Sequence, residues 1–289
     1  MNDHRMLKIT VALATLYTAW SSTYLAILFS LEAYPPFFTA GFRYMAVGAG
    51  MFVYLRVRGV PSPSRLEWKN SSIIGMFLLL GGTAGVVYAM QWVGSGTAAL
   101  VIATTPLWTV LFGGIWRQWP ARNEWVGLLL GFVGIVLLNL QGDLRTHPLG
   151  AGLLVLSAMC WSFGSVLSLR LALPKGMMAS AAQMFSGGLL VLAVSLFSGE
   201  HLPSPMPLRA TAALVYLSVF GSLLGYTAYT FLLNNVRLAL ATSYSYVNPA
   251  IAVLLGIWFA NERITPIGVV AMITILGGVI LVIMGQRNT

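Results

Sequence analysis

The sequence predicts an all-α integral membrane protein with ten transmembrane helices, arranged as two inverted five-helix repeats. Three observations carry this. Of 289 residues, 58% are hydrophobic and 8% charged, whereas a soluble domain carries about 25% charged residues. The apolar residues gather into ten runs near the ~20 residues that span the hydrocarbon of a bilayer as helix. Two of those runs contain a proline flanked by polar residues, 143 positions apart, and such paired breaks point to a transport site between repeats.

The expected spans are 8–29, 37–55, 71–93, 96–116, 124–140, 149–171, 177–198, 210–233, 239–260 and 266–284. The first, from Ile9 to Phe29, is too long for the apolar region of a cleavable signal, and further spans follow it. The second contains Arg43, the one basic residue well inside a span. The connector from Arg56 to Asn70 holds RGVPSPSR and reads as an irregular loop. Other connectors are short, which makes consecutive helices antiparallel neighbours. Small-residue pairs (Gly81 and Gly85, Gly127 and Gly131, Gly221 and Gly225) mark the third, fifth and eighth spans as closely packed.

The proline spans are the fourth and ninth. In the ninth, Ser243, Tyr244, Ser245, Tyr246 and Asn248 precede Pro249. Proline has no N–H, so the Ser245 carbonyl loses its helical partner and needs another donor. In the fourth, Pro106 frees the Ile102 carbonyl beside Thr104 and Thr105. Ala98 and Ala241, Val110 and Val253, Leu111 and Leu254, and Gly113 and Gly256 align at the same offset. Trp20-Ser21 matches Trp161-Ser162, Pro35 matches Pro174, and Gly82 matches Gly225. The repeats are expected at 1–142 and 148–289. Five spans per repeat is odd, so the second repeat enters the membrane upside down.

Sixteen basic and seven acidic residues give a net charge of +9. The basic residues fall in loops, which argues for membrane orientation over nucleic-acid binding. With the N-terminus inside, twelve lie on inner segments, and only Arg145, Arg209 and Arg263 lie outside. Both termini are therefore expected in the cytoplasm. The single cysteine, Cys160, excludes an internal disulfide. No HExxH, GxSxG, buried His–carboxylate pair or metal-ligand cluster stands out, so an enzyme, a metal site and a cofactor are not expected.

Trp20, Ser21, Ser22, Thr23 and Tyr24 resemble the WGSTY-type opening of the drug/metabolite transporter superfamily, EamA family. The two proline-centred spans and the Asn261-Glu262 end of the ninth span fit it too. The resemblance covers nearly the whole chain. Ser21 stands where glycine is common, and RQWPARNE follows the fourth span in place of a Glu-containing end. The resemblance implies a bacterial inner-membrane exporter of amino acids or similar small metabolites. It further implies that the first, third, fourth, sixth, eighth and ninth helices surround a central cavity, with the fifth and tenth peripheral.

Candidate cavity residues are Trp20, Thr23 and Tyr24 on the first span, Tyr88 and Gln91 on the third, and Thr104 on the fourth. The sixth supplies Trp161 and Ser165, the eighth Tyr226, and the ninth Tyr244 and Asn248. Pairs three or four apart share a helix face. Aromatic walls with a few amides and hydroxyls suit a partly apolar, neutral or zwitterionic solute. Pro106 and Pro249 are the expected hinges. Arg43, Glu32 and Glu262 are assigned to gating, with Arg43 pairing an acidic group when the outer side closes. All seven carboxylates lie in termini, loops or helix ends, so no embedded carboxylate is expected to couple transport to protons. The alternatives are a sugar-phosphate or nucleotide-sugar carrier, which needs several buried cations, and a non-transport assembly protein. Expected partners are a small-molecule substrate and the lipid bilayer, with no nucleic acid, and the chain as a monomer or weak homodimer.

Overall fold

Helices cover every expected span in the computed structural model, which describes residues 3–116, 122–139, 147–236, 238–261 and 263–285. They are α1 (Asp3–Leu31), α2 (Pro36–Val57), α3 (Arg65–Ala89), α4 (Ser95–Gly113), α5 (Arg122–Asn139), α6 (Pro148–Ser168), α7 (Met177–Phe197), α8 (Leu208–Asn235), α9 (Tyr244–Ala260) and α10 (Pro266–Gly285). No strand occurs among the described residues. Among the described residues, six helices (α1, α3, α4, α6, α7 and α8) are long and apolar enough to cross a membrane. Shorter apolar stretches lie in α5, α9 and α10. α2 has 22 residues but joins neither group, because Arg43 and several glycines and tyrosines dilute its hydropathy.

Local chemistry sets the helix ends. Ser64 accepts from the Glu67 backbone N–H while the Glu67 carboxylate accepts from the Ser64 N–H, a reciprocal cap that starts α3. Pro36 and Pro148 sit in the first turns of α2 and α6, where a missing N–H costs nothing. Gly199, at φ +69°, turns the chain after α7. That turn brings the Glu200 carboxylate onto the N-terminus of α2, where it accepts from the backbone N–H groups of Phe37 and Phe38 at 3.0 and 2.8 Å.

The two most extensive pairings are α2 with α7 and α5 with α10. α1 also packs on α8 and α9, and α6 on α3 and α4. Small residues permit these approaches. A Cβ on Gly82 would meet the Trp161 ring, and one on Gly225 would meet the Trp20 indole. Large apolar side chains instead cover much of the outside, including Phe197, Trp258, Leu129 and Ile273. Such a surface suits lipid rather than water.

The proline spans differ from expectation in register. α4 is interrupted at Ala103–Thr104, and Pro106 is the second residue of the helix that resumes at Thr105. The Ile102 carbonyl takes the Thr105 hydroxyl at 2.6 Å. α9 follows a short turn of helix, Leu238–Ala241, and the interruption lies at Thr242–Ser243. Pro249 stands inside α9 rather than at that break. The breaks thus precede the prolines, because the resuming helix absorbs each proline within its first two turns. α3 and α8 carry a feature not foreseen: π-helical stretches at Met76–Ala84 and Leu217–Tyr226.

Candidate functional site

A cavity of about 80 Å³ lies where α1, α2, α3, α4, α6, α8 and α9 meet. Among the described residues, none of α5 or α10 lines it. From α1 come Trp20, Thr23, Tyr24 and Ile27, and from α9 Tyr244 and Asn248. Gly82 and Thr83 of α3 and Gly221 of α8 enter from the two π-helical stretches. Such wide turns recur at functional sites because they displace side chains and loosen the backbone ladder. Ser157 and Trp161 of α6, Ile102 of α4, and Arg43 and Tyr44 of α2 complete most of the wall.

The aromatic groups hold one another in place. The Trp20 ring meets those of Trp161 and Tyr244 edge-on, at 5.3 and 4.9 Å between centroids, a favoured aromatic geometry. The Trp20 indole N–H donates to the Gly221 carbonyl at 3.1 Å. The Trp161 indole N–H donates to the Tyr229 hydroxyl at 3.2 Å, and Ser165 lies 2.7 Å from the same hydroxyl. The Asn248 side-chain oxygen accepts from Ser21 at 2.9 Å. The Ser21 that replaces a common glycine therefore fixes a cavity amide.

Of the candidate cavity residues, Trp20, Thr23, Tyr24, Trp161, Tyr244 and Asn248 line this space. Five lie elsewhere. Tyr88 is stacked on Phe37 and meets Trp92 edge-on. Gln91 is exposed and donates to the Tyr88 carbonyl. Thr104 is consumed by the α4 break, donating to the Val101 carbonyl and accepting from the Trp108 indole. Ser165 bonds Tyr229, and Tyr226 donates to Gln183 at 2.8 Å. Helical spacing gave each residue's face but not its depth or its distant partner. Tyr44, Thr83 and Gly221 were not foreseen, and only the glycine pair in α8 hinted at one of them.

Tyr226 and Tyr229 are fully buried and form a layer beside the cavity. Beyond them, toward the end of the bundle that carries Lys8, opens a vestibule of about 1070 Å³. Its wall includes Lys8 and Thr15 of α1, Ser168 and Lys175 after the cavity-facing part of α6, and Gln183, Thr230 and Asn235. On α1 the wall residues run from the vestibule to the cavity across Tyr17 to Trp20.

Arg43 differs from the expectation of a gating pair. It is 2% exposed and faces the cavity, with its guanidinium carbon 4.7 Å from the Tyr44 ring centre. Its Nε and Nη1 have no hydrogen-bond partner among the described residues. Glu32 pairs instead with Arg209, at 3.3 Å on the surface. Glu262 lies outside the described residues.

Layered helices with apolar outer faces, enclosing a central aromatic cavity that opens beside a wider vestibule, define a polytopic membrane protein with the architecture of a carrier. The chain belongs to the EamA-like transporter family, whose model matches it twice, at residues 7–140 and 148–284. It is 39% identical over 287 residues to the inner membrane transporter YedA of Escherichia coli (strain K12), spanning 99% of this chain and 94% of YedA. It is 27% identical to Protein PecM of Dickeya dadantii, over 91% of this chain and 88% of PecM. A solved crystal structure matches with a TM-score of 0.70 at 22% identity, over 96% of this chain and 98% of its own, a likeness of fold.

Proposed function

We propose that the protein exports amino acids or related small amphiphilic metabolites across a bacterial inner membrane by alternating access. The observation that carries this reading is the cavity itself, ringed by aromatic rings with a few polar groups between them. Its volume of about 80 Å³ is small beside the roughly 300–1,000 Å³ of a small-molecule site. A whole solute therefore requires it to widen. The vestibule supplies the approach, and the Tyr226 and Tyr229 layer is the inner gate.

The reading includes ten spans in two inverted repeats, 1–142 and 148–289. The double family match supports it. So does the packing: α2 meets α7 and α5 meets α10, each the counterpart of the other under the repeat, while α1 meets α8 and α6 meets α3. The loop charges support cytoplasmic termini, so the vestibule faces the cytoplasm. Hinge motion is assigned to the breaks at Ala103–Thr104 and Thr242–Ser243, beside Pro106 and Pro249. No carboxylate lines the cavity among the described residues, which favours flux down a solute gradient over proton coupling through an embedded acid.

Counterflow in proteoliposomes with a panel of labelled amino acids tests this. Wild-type protein is expected to drive counterflow of at least one neutral apolar or aromatic amino acid. Trp161→Ala and Tyr244→Ala are expected to lower it about tenfold or more, the scale of losing a buried aromatic contact. No counterflow across the panel, or variants as active as wild type, overturns the reading.

A further inference from the structure

We propose that Arg43 is the anion receptor of the central cavity, and that it takes a solute as a singly charged carboxylate whose amino group is dispensable. The proposal rests on the transport reading and names its substrate class. Arg43 is a buried cation on the cavity wall, with Nε and Nη1 unpartnered among the described residues. A buried charge without a partner is costly and is rarely kept without a use. The Tyr44 ring beneath it offsets part of that cost through a cation–π contact. Gly221 clears the space beside Nη1, since a Cβ there would lie 3.1 Å from it.

The planar fork of a guanidinium matches the two oxygens of a carboxylate. The hydroxyl of Ser222, next in the chain to the cavity residue Gly221, is also buried without a partner among the described residues. For an ammonium group the wall offers little. It has no described carboxylate. The Glu32 carboxylate is held by Arg209 and the Glu200 carboxylate by the start of α2. The Asn248 side-chain oxygen shares the one Ser21 hydroxyl hydrogen with the Tyr17 carbonyl and keeps a free lone pair, but it is a neutral acceptor and a weaker partner for an ammonium than a carboxylate. A phosphate monoester brings a second charge that one guanidinium leaves unmatched. The wall thus fits a single negative head on an apolar body.

One consequence concerns driving force. For a carboxylate without an amino group, carrying one net negative charge outward lets an inside-negative membrane potential favour export by about fifty-fold per 100 mV, whereas a zwitterionic amino acid crosses without that drive. That drive needs no buried proton relay.

The test uses the purified full chain and four probes that share a phenyl body: 3-phenylpropionate, phenylalanine, phenethylamine and phenethyl phosphate. Acetate serves as the bare head group. Quenching of tryptophan fluorescence and thermal unfolding report binding, and net efflux of labelled 3-phenylpropionate from vesicles under an imposed potential reports charge. The expected result is binding of 3-phenylpropionate and acetate, with no gain from the amino group and no binding of phenethylamine. Arg43→Met is expected to weaken binding about tenfold or more, with Arg43→Lys retaining part of it. Efflux is expected to rise when the outside is made positive.

Arg43→Met removes an unpaired charge, so it is expected to fold at least as well, which its unfolding without solute checks. Equal binding by phenethylamine, stronger binding by the phosphate, wild-type binding by Arg43→Met, efflux indifferent to potential, or no carboxylate binding each overturns the proposal. Binding through Arg43 without any flux overturns the transport reading and leaves the anion site standing. Wild-type counterflow in Arg43→Met does the reverse.

Discussion

Glu200, in the turn after α7, and Arg43, on α2, hold opposite charges and opposite fortunes. The Glu200 carboxylate accepts from two backbone N–H groups at the start of α2 and from Ser195 at 2.6 Å. Arg43, about two turns into the same helix, is deeper yet has two nitrogens without a partner among the described residues. Glu200 completes the structure by itself. A helix N-terminus has free N–H groups and a positive field, and the carboxylate answers both. Arg43 leaves the structure incomplete. A group buried at a cost and not satisfied from within is where a ligand has most to gain.

The largest stability effect is expected at Glu200. Glu200→Ala strips charge-assisted bonds from two backbone donors and should cost about 2–3 kcal/mol, read as a lower unfolding midpoint in detergent. A change within error would mean that water replaces the carboxylate freely and that the contrast with Arg43 is overstated. Next comes Arg43→Met without solute, expected to raise stability by about 1–2 kcal/mol by removing a buried unpaired charge. If it destabilises the fold instead, Arg43 is paired in the protein and the contrast fails.

The sequence made one side of this contrast visible. Arg43 stood out because a charge inside an apolar run is conspicuous. Its lack of a partner was not legible, since pairing depends on which loops fold back and how far. Glu32 looked available from its position at a helix end, but the fold places Arg209 beside it. Glu200 read as an ordinary loop carboxylate. Only the left-handed turn at Gly199 carries it onto another helix. Hydropathy and duplicated prolines located the helices well because both are local signals. The π-helical stretches escaped because no strong local preference marks them. Tyr229 shares a face with Tyr226 by its spacing, but its partners Trp161 and Ser165, 68 and 64 positions away, left no local sign.

The smallest effect is expected at Glu32, and it separates a surface contact from a gate. The Glu32 and Arg209 side chains are 46% and 60% exposed at their 3.3 Å contact. An ion pair so open to solvent contributes little, because screening and side-chain entropy offset the attraction. Arg209 also keeps a second contact when Glu32 is neutralised, its guanidinium carbon lying 4.0 Å over the Phe29 ring. Glu32→Gln should therefore shift stability by no more than about 0.5 kcal/mol, and counterflow should change by less than about twofold. If counterflow falls sharply while stability holds, Glu32 acts in the cycle in a conformation other than this one. It would then rank with Arg43 among charges kept for function.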